Sequence, residues 1–152
     1  MLFVLIGCGD KPKASHNTSF TPAEVAVATS KKESNLTSSI AGLSWYAEID
    51  GAFELARKED KDVLIMVGEE GCRWCKKMKK RTLSDPRIQQ KLEKYILVSV
   101  RRSDKDAVAK LSEFDGNIPS FFFMKSDGEL IEPVVGYFDA DDFLQYIEEI
   151  EE

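Results

Sequence analysis

Three cysteines occur in the 152-residue chain, at positions 8, 72 and 75. Cys72 and Cys75 stand three apart in the stretch EEGCRWCKKM, Glu69 to Met78. Cysteines with this spacing in the first turn of a helix have Cα atoms about 5–6 Å apart, within reach of an unstrained disulfide. Such a bridge opens and closes with little backbone movement. At a helix N-terminus, free amide N–H groups and the positive end of the helix dipole stabilise a thiolate on Cys72. Arg73, Lys76 and Lys77 add positive charge, and Glu69 and Glu70 oppose it. The chemistry expected is thiol–disulfide exchange. Cys72 attacks a partner's disulfide to form a mixed disulfide, which Cys75 resolves, releasing reduced partner and closing the Cys72–Cys75 bridge.

Metal chemistry competes for the same residues. Structural zinc needs four ligands, and beyond this pair the sequence offers only Cys8 and the single histidine, His16, both near the N-terminus. No metal site is therefore expected, and no cofactor beyond the redox-active disulfide. Two thiolates do suit a soft ion such as Cu(I), so a copper-handling or redox-silent binding lipoprotein stands as the alternative. His16 lies in a segment without helical or strand period, where nothing would hold a catalytic base in place.

The net charge of -6, with charged residues well mixed, argues against general nucleic-acid binding. No apolar run approaches the roughly 20 residues of a membrane-spanning helix. The opening MLFVLIGC is apolar, and Leu5-Ile6-Gly7-Cys8 resembles a bacterial lipobox. Residues 1–8 thus read as a truncated lipoprotein signal, lacking a basic n-region and a full-length h-region. Lipidation of Cys8 would place the chain in the bacterial periplasm or cell envelope, tied to the membrane through the lipid alone, where disulfide chemistry is expected. Residues 9–42, rich in Ser, Thr, Lys and Ala, read as a flexible spacer. Two glycosylation sequons there, at Asn17 and Asn35, are of a kind that arises by chance.

A folded domain is expected over residues 43–152. Trp45, Ile49, Ala52, Phe53 and Ala56 recur at helical spacing. DVLIMV follows, a short apolar run suited to a strand buried on both faces. The cysteines then open a basic helix to about Thr82, whose run KKMKKR reads as a solvated face with Met78 inward, attraction of acidic partners being the second reading. Ser84-Asp85-Pro86 signals a new helix, YILVSV a second strand, and Asp104 to Phe114 another helix. IPSFFFMKSDGELIEPVVG reads as a hairpin turning at Ser126-Asp127-Gly128, with Phe121, Phe122 and Phe123 mostly core. Asp139 to Ile150 closes the chain as an amphipathic helix. This order predicts an α/β three-layer sandwich with a mixed four-stranded sheet flanked by helices.

Ile118-Pro119-Ser120 stands where a strand should begin, and proline there removes a ladder donor. A cis bond presenting the preceding backbone to a partner would explain it. With VLIMVGEEGCRWC and GNIPSFFFMKSDGEL, the sequence resembles the thioredoxin superfamily. CRWCKKMKKRTLSDPRI is further similar to the C-terminal domain of periplasmic thiol:disulfide interchange reductases. The resemblance implies a monomeric thioredoxin fold and a protein-disulfide oxidoreductase, more as reductase. Cys72 would be the nucleophile, Cys75 the resolving thiol, and Arg73, Trp74, Ile118 and Pro119 would meet the substrate. Partners would be protein thiols or disulfides and a membrane protein that donates or accepts electrons. Two departures matter. The family's buried Asp, six residues before the first Cys, is Met66 here, leaving Glu69, Glu70 or water to carry the proton. The family's Gly-Pro between the cysteines is Arg73-Trp74, and Arg73 favours the thiolate form, making the couple more oxidising.

Overall fold

A computed structural model describes residues 36–152. Cys8, His16, the sequons and most of the spacer lie outside them. Six strands, rather than four, form one mixed sheet in the order β1-β2-β4-β3-β5-β6. The central pair is β3 (Asp62–Gly68) and β4 (Tyr95–Arg101), parallel and in register from Asp62↔Tyr95 to Gly68↔Arg101. The hairpin β5 (Ser120–Met124) and β6 (Leu130–Val135) joins β3 antiparallel, with Val67 opposite Ser120. Pro133 sits on β6 at the sheet edge, the place where a strand tolerates a missing donor.

The two extra strands come from a segment read as spacer and helix. β1 (Leu36–Ile40) and β2 (Leu43–Tyr46) form an antiparallel hairpin, so the ordered domain begins at least seven residues before Leu43. Ala41 and Gly42 both have positive φ, 52° and 83°, the geometry of a two-residue hairpin turn. Ala in that region is strained, and the Gln89 side-chain amide donates to the Ala41 carbonyl. Trp45, fully buried, belongs to β2 and not to the following helix.

Helices cover both faces. On one, α1 (Ile49–Glu59) buries Ile49, Ala52 and Ala56 against Val63, Ile65 and Val67 of β3 and Val98 of β4. On the other, the alternate strand residues Leu64, Met66, Phe121 and Phe123 pack beneath α3 (Pro86–Leu92) and α5 (Ala140–Glu151), met by Ile88, Leu92, Phe143 and Ile147. Phe143 is fully buried against Phe121, with ring centroids 5.0 Å apart; burying such a ring contributes roughly 1.5–3 kcal/mol. Asp85 caps α3 ahead of Pro86, and Asp139 caps α5 through the amides of Asp141 and Asp142.

Two helices depart from expectation. The cysteine helix α2 (Arg73–Lys77) passes into a single π-helical turn over Met78–Thr82. This turn buries Met78 and Thr82, Leu83 is buried directly after it, and the Thr82 hydroxyl donates to the Phe138 carbonyl at 2.6 Å. Between Asp104 and Phe114 only α4 (Lys105–Val108) is α-helical, the remainder being turns. Asp104 caps it through the Ala107 amide, but Gly116-Asn117 and the need to bring Leu111 and Phe114 down onto the sheet leave no room for three turns.

Candidate active site at the head of α2

β3 ends at Gly68, and Glu69-Glu70-Gly71 carries the chain to α2, with Gly71 at φ 82°. That angle favours glycine. Cys72 is the N-cap of α2, and its sulfur accepts the Cys75 amide N–H at 3.1 Å. Cys72 and Cys75 are joined as a disulfide, with Cα atoms 5.3 Å apart. The two sulfurs differ in access. Cys72 is half-buried at the surface, whereas Cys75 is 2% exposed and lies over Gly68, where a Cβ would stand 3.6 Å from the Cys75 sulfur. Attack on or by Cys72 is therefore open to a partner, while Cys75 is reached only through Cys72 or from inside.

On one side of the disulfide Trp74 projects outward, 47% exposed. Its ring meets Tyr137 at 5.4 Å between centroids. The Lys77 ammonium lies 4.9 Å from the Trp74 ring and 4.3 Å from the Tyr137 ring, and the Arg73 guanidinium 5.5 Å from Trp74. These are cation–π distances. The Ile118–Pro119 bond is cis, and the Pro119 carbonyl accepts the Gly136 amide at 2.8 Å. Pro119 is buried and Ile118 half-buried, at the same end of the sheet as Gly68. Tyr137 was not singled out in the sequence; its only signal was its place directly after Gly136.

On the other side lies a cleft of about 700 Å³, lined by Gly68, Glu69, Glu70, Cys75 and Lys79, with walls from β1 and β4. Glu69 is held in place: its Oε2 accepts the Ser103 amide at 2.9 Å and its Oε1 the Glu70 amide at 3.1 Å. The hydrogen bonds from Ser103, with that from Glu70, hold its carboxyl below the ordinary value of 4.5. Glu70 pairs with Arg101 at 3.2 Å. Both glutamates thus line the cleft with Cys75, but Glu69 is fixed as a carboxylate with both oxygens engaged. Met66 is fully buried in the core. Lys79, one turn beyond Cys75, enters the cleft wall, and burial pushes its ammonium below the ordinary 10.5. Among the described residues no cluster of three or more His, Cys, Asp and Glu could hold a metal ion, and no helix there is long and apolar enough to cross a membrane.

Residues 49–151 match the family model of the thioredoxin-like domain. Thiol:disulfide interchange protein DsbD of Neisseria meningitidis serogroup B is 31% identical over 108 residues, covering 68% of this chain but only 18% of that protein. Human spermatogenesis-associated protein 20 is 33% identical over 70 residues, 45% of this chain and 9% of that one. Among solved structures, the oxidised C-terminal domain of N. meningitidis DsbD superposes with a TM-score of 0.57 at 28% identity, over 69% of this chain and 97% of that one. A Thermus thermophilus thioredoxin does so at 0.61 and 25% identity, over 70% and 85%. By sequence and by fold alike, the chain belongs to the thioredoxin-like domain family, and the Cys72–Cys75 pair at the head of α2 makes it a protein-disulfide oxidoreductase by class.

Proposed function

We propose that the chain reduces protein disulfides outside the cytoplasm, drawing its electrons from a membrane partner and held to the membrane by a lipid on Cys8. The observation that carries the reading is the asymmetry of the pair: Cys72 is reachable and capped by an amide N–H, and Cys75 is enclosed. In the reduced protein the Cys72 thiolate attacks one sulfur of a partner's disulfide. The Cys72–partner bond forms, and the partner's second sulfur leaves as a thiolate that takes a proton from solvent. Cys75 then loses its proton to the cleft and attacks the Cys72 sulfur. The Cys72–Cys75 bond forms, the mixed disulfide breaks, and the partner departs fully reduced, two electrons richer. Arg73, Trp74, Ile118 and Pro119 surround the attacked bond in this scheme, and Glu70 or cleft water accepts the Cys75 proton. Glu69 serves less well, both its oxygens being engaged, whereas the Arg101 contact takes up only one oxygen of Glu70.

The test is turnover of a protein disulfide by the pre-reduced chain. Cys72→Ser abolishes it, and Cys75→Ser accumulates the mixed disulfide while turnover falls about a thousandfold or more. Undiminished turnover in Cys72→Ser would sink the reading. A reduction potential near about -270 mV supports the reducing direction, and one near about -120 mV overturns it in favour of an oxidant. The anchor has its own check: Cys8→Ser moves the chain from the membrane fraction to the soluble one, and continued membrane association refutes lipidation there.

A further inference from the structure

From Arg73 to Arg81 the chain carries six cations, Arg73, Lys76, Lys77, Lys79, Lys80 and Arg81, and no acid. The cations packed nearby on α3 are neutralised: Arg87 pairs with Asp85 and Asp141, and Lys91 with Glu151. Among the described residues none of the six makes such a pair; ion pairs fall elsewhere in the domain. Lys79 turns into the cleft. Arg73 and Lys77 instead lie over the exposed Trp74–Tyr137 platform, in the short helix that Cys72 caps. A chain with a net charge of -6 thus gathers cations without carboxylate partners on one flank of its disulfide, with Glu69 and Glu70 on the other, cleft flank.

We propose that this face docks a protein segment bearing carboxylates beside its disulfide, so that the preferred substrates are acid-flanked cystines. The inference rests on the reductase reading and names its substrate class. An apolar side chain of the segment covers Trp74 and Tyr137, and its carboxylates reach Arg73, Lys77 and Lys80. Opposite charge across such a contact raises the encounter rate and orients the approach. Cations adjoining a wide exposed ring also favour a polypeptide over a lipid surface, because seating this face on a bilayer would bury Cys72 away from its substrates.

The experiment uses two synthetic peptide disulfides identical except for flanking Glu or flanking Lys. At low salt the pre-reduced chain reduces the Glu-flanked peptide about tenfold or more faster, and the preference shrinks as salt is raised. Lys77→Glu with Lys80→Glu inverts it. The same charge change on the opposite face of the sheet, Lys58→Glu with Lys105→Glu, leaves the preference in place. Equal rates for both peptides at low salt overturn the inference while leaving the reductase reading intact; failure to reduce either peptide removes that reading itself. A preference lost equally in both double variants assigns it to net charge and overturns the docking face. Binding to anionic vesicles without any peptide preference does so as well, by assigning the cations to a membrane.

Discussion

The two flanks of the disulfide differ more than the two cysteines do. On the Trp74 flank the surface is open and aromatic, and its cations have no carboxylate partners among the described residues. On the Cys75 flank the chain closes into a cleft whose acids are engaged, Glu69 by backbone amides and Glu70 by Arg101. One dithiol therefore works between two electrostatic regimes. The open flank, exposed to salt and to partners, governs encounter and recognition. The cleft flank, where Cys75 is buried, governs protonation of that thiol. A substitution on one flank should change salt dependence and leave pH dependence alone, and the reverse should hold on the other.

Trp74→Ala makes the strongest demand on this division. Loss of the exposed ring lowers the rate on protein disulfides about tenfold, an effect of about 1.4 kcal/mol typical of an aromatic anchor, while the pH midpoint stays put. A moved midpoint would merge the two flanks. Lys79→Met acts next, from inside. Removing an ammonium from the wall of the cleft that Cys75 also lines moves the titration midpoint of that thiol to higher pH in reduced protein, read from thiolate ultraviolet absorbance in a Cys8→Ser, Cys72→Ser background. Lys79→Arg should restore the midpoint. The same residue sets a stability trend. Its folded pKa lies below 10.5 because of burial, so between those two values the unfolded chain binds more protons and stability rises with pH. Urea titrations of Lys79→Met should lack that alkaline rise. Glu69→Gln has the smallest effect. The carboxyl's folded pKa is lowered from 4.5 by hydrogen bonds, so its contribution is present above 4.5 and fades as pH falls through the lower folded value. Wild type and variant should differ in Tm at neutral pH and converge in acid; a constant gap would show that charge is not what Glu69 contributes.

Much of the sheet could be read from pattern alone, because β3, β4 and β5 are short apolar runs and Ser126-Asp127-Gly128 is strong turn chemistry. The cysteine pair and Pro119 stand out for the same reason, since each is a local signal. The β1–β2 hairpin was hidden by its chemistry. LTSSI is polar, and Ala41-Gly42 lacks the Asn or Asp that usually marks a two-residue turn. Trp45 misled because it falls four residues before Ile49, in step with the helix it precedes. The π turn is invisible to a period of 3.6, since Met78 and Thr82 fit an α-helical stripe equally well. Tyr137 and the Glu69–Ser103 contact lay beyond reach for a different reason: their partners are 63 and 34 residues away, joined only once the sheet is assembled.

The hairpin that was missed also determines where this domain can be cut. β2 meets β4 at Tyr46 and Val98 alone, while it pairs with β1 along its length. Ser38 and Ile40 stand in the wall of the cleft beside Cys75. A recombinant fragment started at Leu43, the boundary that composition suggests, would carry an unpaired strand edge open to other chains. It would also leave its buried thiol looking out through a missing wall. Such a fragment would report the redox properties of a truncation, and Leu36 or earlier is the start that preserves the site.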